Sequence, residues 1–443
     1  MKVLWLCNIM LPAFAKHEGI EYTSREGWLS GSFDRISSER LKGKCDIDLA
    51  VCFPVSDNAK WDKKEVDGVI FYAFHENLNT PEIYKPELET RFKEILLDYA
   101  PDIIHIFGTE FPHSLAMIKA FNNPSRTLLG IQGFCQAIAD EYMAELPDIV
   151  KKDLTLRDRL KKDSLSEQQS KFRLRAENER QMIKNVGHVT GRTSFDRAAA
   201  LSINPDVKYH FMNETMRECF YEGVWKETLA RPHSIFLAQG DYPLKGFHFV
   251  LQALPALLEK YPDAHVYVAG NSIIGSIDRR TVSIPNDSNM AVKGSRYPLF
   301  LRMSSYGKYL KYLIVKNHLK DNVTILGKLS DKQMKEQYLS ASVFVCPSVI
   351  ENSPNSVGEA MLLGVPTIAS RTGGIPSMLE DGRDGILFEP GDVNALVDAI
   401  IQIWEEKVIT EVYSENARKH AHMTHDPSIN YARLLEIYHA LER

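Results

Sequence analysis

The sequence lacks the features that mark several classes of protein. Its 443 residues include six cysteines without a CxxC pair or a metal-ligand spacing, so neither a disulfide framework nor a structural zinc site is predicted. No stretch reaches the roughly 18 uninterrupted apolar residues that a membrane-spanning helix needs. With 53 basic and 58 acidic residues, the formal net charge is −5, which argues against nucleic acid as the main partner. We expect a cytoplasmic protein with reduced thiols.

Flexible connections are missing as well. There is no short repeat, no low-complexity tract and no Gly/Ser linker, so the domains should pack closely against one another. The opening residues loosely resemble a secretory signal, with one basic residue, an apolar run and an A-x-A site at residues 13–15. We interpret them as the buried first strand of an α/β domain, because Asn8 and Pro12 interrupt the apolar run.

Short β-rich runs alternate with amphipathic helical stretches, a pattern typical of parallel sheets with crossover helices. The pattern starts afresh near residue 231, so we predict an α/β fold with one domain over residues 1–230 and another over residues 231–424. A last helix is predicted within residues 425–443. Strands are predicted at residues 3–7, 47–53, 69–74, 103–107, 127–131 and 186–190, then at 234–239, 265–269, 323–326, 343–346 and 365–369.

The most informative stretch lies between residues 343 and 364. An apolar strand is followed by a polar turn, by Ser353 where a helix N-cap is expected, and by Pro354 at the first helical position. Free N–H groups at such a helix start suit a diphosphate, since ligands of doubly wound folds bind at the carboxyl ends of strands. Glu351 and Glu359 could accept hydrogen bonds from ligand hydroxyls. The alternative is that both acids, and the cap, only stabilise the helix start.

Two other strand-to-helix turns in this half of the chain carry similar chemistry. In one, Lys245 stands beside Gly246, where a lysine can neutralise a leaving diphosphate and a glycine allows close backbone approach. In the other, Gly373 and Gly374 follow a strand. Taken alone, the lysine is as readily a solvated surface residue and the glycines an ordinary turn. Three such turns in one domain predict a nucleotide site.

These residues resemble family four of the retaining glycosyltransferases, which has the GT-B architecture of two facing Rossmann-like domains. The resemblance implies that the C-terminal helix crosses back to the first domain, and that no cofactor or metal is needed. It is looser in the first domain, where it rests on the opening strand, the Gly27-Trp28 turn and residues 101–105. In the second domain it rests on Lys245-Gly246, on Glu351 and Glu359 within ENSPNSVGEA, on Gly364-Val365-Pro366 and on Gly373-Gly374.

The family implies a role for each of these positions. Glu359 would hold the ribose of a nucleotide-sugar, and Lys245 would bind its diphosphate. Glu351 would contact hydroxyls of the transferred sugar and support positive charge at the reacting carbon. Further donor contacts are implied at Lys328, Leu329, Asn352, Ser353, Asn355, Ser356, Val357, Gly373 and Gly374. Weaker contacts with the acceptor or the sugar are expected at Gly27, His105, Glu110 and Gln132.

The sequence departs from the family at two points. Many relatives carry an arginine shortly before the phosphate-binding lysine, where this chain has Gln239-Gly240-Asp241. Neutralisation of the phosphates would then depend more on Lys245, or on an arginine from elsewhere such as Arg371. Many relatives also place a histidine near the donor sugar, where Gln132 stands here. His105 and Glu110 end a strand of the first domain, and for each a core position is as plausible as a ligand contact.

We therefore expect a metal-independent, retaining transfer of sugar from a nucleotide-sugar to a glycan or lipid-linked acceptor, in polysaccharide synthesis. The DxD-like Asp46-Ile47-Asp48 is interpreted as structural turn chemistry. The alternatives are a nucleotide-sugar epimerase, a non-catalytic nucleotide-sugar binder, and a phosphorylase, for which no pyridoxal-lysine motif is visible. The basic segments at residues 151–184 and 293–320 are either solvated helix faces or sites of attachment to an anionic membrane.

Overall fold

A computed structural model describes residues 1–20, 22, 28–56, 59, 61–271 and 303–442. Within that part, the chain forms two α/β domains, each built on a sheet of mostly parallel strands. The first sheet contains β1 (Lys2–Cys7), β2 (Asp48–Val55), β3 (Lys63–Val66), β4 (Val69–His75), β5 (Ile103–Phe107), β6 (Thr127–Gly130), β7 (His188–Gly191) and β8 (Lys208–Phe211). The second contains β9 (Ser234–Leu237), β10 (His265–Ala269), β11 (Val323–Gly327), β12 (Val343–Cys346), β13 (Thr367–Ser370) and β14 (Ile386–Phe388).

Helices connect the strands and cover the sheets. Those of the first half are α1 (Pro12–Glu18), α2 (Ser30–Leu41), α3 (Glu87–Tyr99), α4 (Pro112–Phe121), α5 (Cys135–Glu141), α6 (Asp148–Lys151), α7 (Leu156–Lys161), α8 (Leu165–Lys184) and α9 (Ser194–Ile203). Those of the second half are α10 (Phe247–Lys260), α11 (Ser305–Lys316), α12 (Asp331–Ser340), α13 (Asn355–Leu363), α14 (Val393–Glu405), α15 (Lys407–Thr424) and α16 (Pro427–Glu442). No helix in the described ranges is both long and apolar enough to cross a membrane.

The strand order shows where each sheet can bind a ligand. The first sheet runs β3-β4-β2-β1-β5-β6-β7-β8, and the second runs β11-β10-β9-β12-β13-β14. All described pairings are parallel except β3 with β4. The order reverses between β1 and β5 in the first sheet and between β9 and β12 in the second. At such a reversal the following helices diverge to opposite faces and open a crevice at the carboxyl ends of the strands.

The last helix, α16, returns to the first domain. Its buried residues Leu434, Ile437, Tyr438 and Leu441 join the core that covers one face of the first sheet. The Nε1–H of Trp5, on β1, donates a hydrogen bond of 2.8 Å to the hydroxyl of Tyr438. The α/β fold of two facing domains is thus confirmed, with the C-terminal helix crossing back.

The differences from the predicted elements are local. β3, β8 and β14 were not predicted, because β3 and β8 are short edge strands with polar residues and β14 has only three residues. Helix α13 begins at Asn355, with Pro354 rather than Ser353 at the N-cap. The side-chain oxygen of Ser353 is buried without a hydrogen-bond partner in the described part of the chain, so it caps no N–H group of the helix. Asp48 begins β2, at the opposite end of the sheet from the carboxyl ends of its parallel strands.

Candidate functional site

The two crevices face a common cleft between the domains, with a volume of about 820 Å³. Residues after β1 and β5, together with α7 and α8, line it on the side of the first domain. The turns that follow β9, β10, β11 and β12 line it on the other side. Five residues expected at a site are among those lining the cleft, namely Glu110, Lys245, Lys328, Leu329 and Glu351.

Lys245 and Glu351 form an ion pair where the second sheet reverses its strand order. Lys245 follows β9 and Glu351 follows β12. Gly246 brings their turns together, because it has a φ of +66° and any β-carbon there would collide with the carbonyl oxygen of Pro347. Burial disfavours the charged lysine, but the attraction of Glu351 outweighs it and raises the pKa of Lys245. The site therefore holds a fixed positive charge within the cleft.

The two glycines after β13 support the turn that carries Glu351. The N–H of Gly374 donates to the backbone carbonyl of Glu351 over 3.0 Å. A β-carbon on Gly373 would collide with that carbonyl, and one on Gly374 with the carbonyl of Asn352. The side chain of Glu351 is held separately, since the hydroxyl of Ser348 donates to it over 2.9 Å. The glycines thus position Glu351, and the N–H of Gly374 is not available to a phosphate.

Glu359 is buried and is not among the residues that line the cleft, with only 4% of its surface exposed. One carboxylate oxygen is ion-paired with Arg217, which also pairs with Asp331. The other oxygen accepts a hydrogen bond of 3.2 Å from the hydroxyl of Tyr338. Burial raises the pKa of Glu359, against the opposing effect of Arg217. In this conformation both oxygens of Glu359 have partners within the protein, and the ribose contact expected there stays a prediction.

The turn before α13 makes a polar contact with the first domain. Thr193 donates to Asn352 over 3.1 Å, and the side chain of Asn352 donates to the backbone oxygen of Gln132 over 3.3 Å. Arg192 donates to the backbone oxygen of Ser353 over 2.9 Å and to the side chain of Asn355 over 2.8 Å. These polar groups therefore hold the domains together instead of lining the cleft.

Backbone groups in the first turn of α13 also form hydrogen bonds within the protein. The backbone oxygen of Ser356 accepts a hydrogen bond of 3.1 Å from Tyr338. Val357 is fully buried, and its N–H donates to the carbonyl of Pro354 over 3.0 Å. The N–H of Val357 is therefore occupied within the helix start, and the diphosphate contacts expected from the neighbouring N–H groups stay a prediction.

His105 proves to be a core residue. It is fully buried, and its Nδ1 lies 2.7 Å from the hydroxyl of Tyr438 on α16. Burial lowers its pKa to about 3, so the ring is neutral at ordinary pH. Arg371 also lies away from the cleft, where it pairs with Asp381 and Glu389. Gly27 falls outside the described residues.

Two arginines that sequence reasoning did not assign to the site line the cleft. Arg157 pairs with Asp163 over 2.6 Å. The guanidinium of Arg175 lies 4.3 Å from the ring centre of Phe172, and its Nε donates to the backbone oxygen of Glu110 over 2.7 Å. Both arginines belong to the basic segment 151–184, one face of which is therefore a wall of the cleft. The available signal was the i, i+3 pair of Phe172 and Arg175 on α8.

Comparison with known families identifies the second domain. Residues 231–420 match the family described as glycosyl transferases group 1. The second domain belongs to that family. The matched range begins just before β9 and contains Lys245, Glu351 and Glu359, so the resemblance seen in the sequence is confirmed.

Individual proteins agree with this assignment. The chain is 35% identical over 96 residues, or 21% of its length, to the sulfoquinovosyl transferase SQD2 of Arabidopsis thaliana, and the match covers 19% of that protein. Across the curated relatives, the matches span 14% to 45% of the relative's length.

Solved structures extend the comparison to the whole chain. The sucrose-phosphate synthase of Thermosynechococcus elongatus has a TM-score of 0.70 at 16% identity, with 100% of this chain and 99% of that one covered. Anabaena Alr3699/HepE in complex with UDP-glucose has a TM-score of 0.61 at 15% identity, with 99% of both chains covered. At these identities the likeness establishes the fold, which is the GT-B arrangement expected from the sequence.

Proposed function

We propose that the protein is a retaining glycosyltransferase that moves a sugar from a nucleoside diphosphate sugar to a glycan or lipid-linked acceptor in the cytoplasm. The proposal rests chiefly on the ion pair of Lys245 and Glu351, which lies in the cleft at the strand reversal of a glycosyl transferases group 1 domain. Such a reversal is where α/β sheets bind ligands. The HepE complex with UDP-glucose supports a donor of this class.

The chemistry follows from the charges of this pair. A lysine ammonium has three N–H donors, so Lys245 can bind a diphosphate oxygen while it still contacts Glu351. As the bond between the anomeric carbon and the phosphate oxygen breaks, Lys245 stabilises the charge on the leaving group. Glu351 accepts hydrogen bonds from sugar hydroxyls and stabilises positive charge at the anomeric carbon. The acceptor oxygen attacks from the same face and passes its proton to the departing phosphate, which needs neither a metal nor a resident cofactor.

A thermal-shift screen with UDP-, GDP-, ADP- and dTDP-sugars tests donor binding. At about one hundred times its dissociation constant, the correct donor should stabilise the protein by about 2.7 kcal/mol. The Lys245→Met variant should show a clearly smaller shift with that donor, because the diphosphate loses its cation. The proposal fails if no nucleotide-sugar raises the melting temperature, or if the variant responds as strongly as the wild type.

The products distinguish transfer from the alternative functions. An epimerase would convert the donor identified in the screen to another nucleotide-sugar with no acceptor present. A non-catalytic binder would be stabilised by the donor but would release no nucleoside diphosphate with any acceptor. A retaining transferase should release nucleoside diphosphate and form an α-linked product from an α-linked donor, which NMR of the anomeric proton would show.

We also propose that the protein attaches to an anionic membrane, where it would meet a lipid-linked acceptor. The surface that carries this proposal consists of residues 149–162, around α6 and α7. Four apolar side chains are exposed there, with Ile149 80% and Leu160 67% exposed, beside four exposed basic ones. The apolar members are Ile149, Leu154, Leu156 and Leu160, and the basic ones are Lys152, Arg159, Lys161 and Lys162. Mixed surfaces of this kind bind anionic headgroups and insert side chains at the interface.

Sedimentation with vesicles tests this surface. The wild type should sediment with phosphatidylglycerol vesicles and not with phosphatidylcholine vesicles. The double variant Leu156→Ser/Leu160→Ser should bind at least tenfold more weakly, since each buried leucine contributes on the order of 1.5 kcal/mol or more. Leu97→Ser, at an 84% exposed leucine on α3, is the matched control and should bind like the wild type. Equal binding by the double variant would contradict the proposal.

A further inference from the structure

Two polar side chains meet where the first sheet reverses its strand order. Asn8 follows β1 and Glu110 follows β5, and both line the cleft. The Oδ1 of Asn8 and the Oε2 of Glu110 are buried, yet neither has a hydrogen-bond partner among the described residues. A buried acceptor without a donor is costly. Two such acceptors at a cleft wall therefore point to a ligand that supplies the donors.

The backbone leaves room for these side chains. Gly108 has a φ of +106°, and a β-carbon there would collide with the Oε2 of Glu110 and lie 3.4 Å from the Nδ2 of Asn8. The Oε1 of Glu110 is fixed by the N–H of Gly133, which donates to it over 2.8 Å. Because one carboxylate oxygen is held in this way, the other has a defined position in the cleft.

A buried glutamate holds both the loop after β5 and the loop after β6. Glu179, on α8, accepts hydrogen bonds from the hydroxyl of Thr109 over 2.5 Å and from the N–H of Cys135 over 3.1 Å. These two residues flank Glu110 and Gly133 along the chain. Burial raises the pKa of Glu179 to about 7 and that of Glu110 in the same direction. Two buried carboxyl groups therefore fix the loop after β5 against the loop after β6.

We propose that Asn8 and Glu110 form a subsite that binds hydroxyl groups of the acceptor carbohydrate. The inference rests on the proposed transferase function, in which the donor lies on the opposite wall at Lys245 and Glu351. Both groups offer oxygen acceptors, which suits neighbouring hydroxyls and disfavours a phosphate. Arg175, stacked on Phe172 beside them, limits the space and holds the backbone of Glu110. The two crevices, each at the point where a sheet reverses its strand order, thus bind the two substrates of one reaction.

Saturation-transfer NMR tests the subsite with four free sugars as probes: glucose, galactose, mannose and N-acetylglucosamine, each at millimolar concentration with UDP present. At least one sugar should receive saturation from the wild type. Glu110→Gln should reduce that signal at least fivefold. The side-chain oxygen of the glutamine must still accept from the N–H of Gly133, so its NH₂ group replaces the oxygen that would accept from the sugar hydroxyl. Asn8→Ala, which removes the other acceptor, should have a similar effect.

Calorimetric titration with UDP separates this inference from the transferase proposal. Both variants should bind UDP within twofold of the wild type, and the control Glu141→Gln, at an exposed position on α5, should retain both the sugar signal and UDP binding. The subsite is overturned if the variants keep the sugar signal, if no sugar receives saturation from the wild type, or if UDP affinity falls equally with the sugar signal. Sugar binding by a wild type that binds none of UDP, GDP, ADP and dTDP would instead overturn the donor assignment.

Discussion

Replacement of Lys245 by methionine is expected to slow the release of nucleoside diphosphate from the donor by about 10²–10³-fold. Removal of one preorganised donor aimed at developing charge typically has an effect of this size. Lys245 is the cation that the second domain places beside Glu351, and burial in the cleft strengthens its interaction with a diphosphate. The initial rate with the donor identified by the thermal-shift screen is the measurement. Lys245→Arg keeps the charge and should lose less activity.

The control for this variant is a lysine in an equivalent pair outside the cleft. Lys260, at the end of α10, is paired with Glu405 on the protein surface, and its side chain is 53% exposed. Lys260→Met removes the same charge from the same domain and should leave the rate within twofold. A Lys245→Met enzyme with the wild-type rate would show that the diphosphate is neutralised by another group. Arg175 and Lys328, which also line the cleft, would then be the first to examine.

The second large effect is expected on stability. Glu359→Ala should lower the free energy of unfolding by about 3 kcal/mol, because removal of one partner of a buried ion pair leaves the other charge poorly compensated. Arg217 keeps its ion pair with Asp331, whose side chain is 31% exposed and which compensates only part of the loss. Tyr338 also loses the oxygen to which it donates. Urea denaturation of the wild type and the variant is the measurement.

A surface pair provides the comparison for Glu359. Glu436 pairs with Arg433 on α16 over 3.0 Å, with its side chain 66% exposed, so Glu436→Ala should cost less than about 1 kcal/mol. Binding of the nucleoside diphosphate and of its 2′-deoxy form reports separately on the ribose. If Glu359→Ala left stability unchanged but abolished the preference for the ribose form, the carboxylate would be a direct ligand and not an anchor for Arg217.

The sequence was a good guide wherever a signal is local. The strands at residues 103–107, 265–269 and 343–346 begin and end where they were predicted, because buried parallel strands are continuous apolar runs with polar boundaries. Lys245 and Glu351 could be identified because each follows such a strand, and the carboxyl ends of parallel strands meet at one edge.

The same reasoning could not identify contacts whose two partners are distant in the chain. Asn352, Ser353 and Asn355 were expected to contact the donor, and no local pattern indicated that they also contact Thr193, Arg192 and other residues of the first domain. His105 ends a strand at the crevice, but its ring is held by Tyr438, which is 333 residues away. No local pattern encodes such contacts, because they depend on how the domains and the last helix come together.

The amino-acid sequence by itself therefore determined the two α/β domains, the position of the strand-to-helix turns and the identity of the cleft lysine and glutamate, since periodicity and strand-to-helix turns are short-range properties. Only the tertiary structure decided which of the candidate residues line the cleft. It buried Glu359 against Arg217, and it brought Asn8 and Glu110 together at the reversal of the first sheet. These placements depend on strand order and domain packing, in which residues more than a hundred positions apart become neighbours.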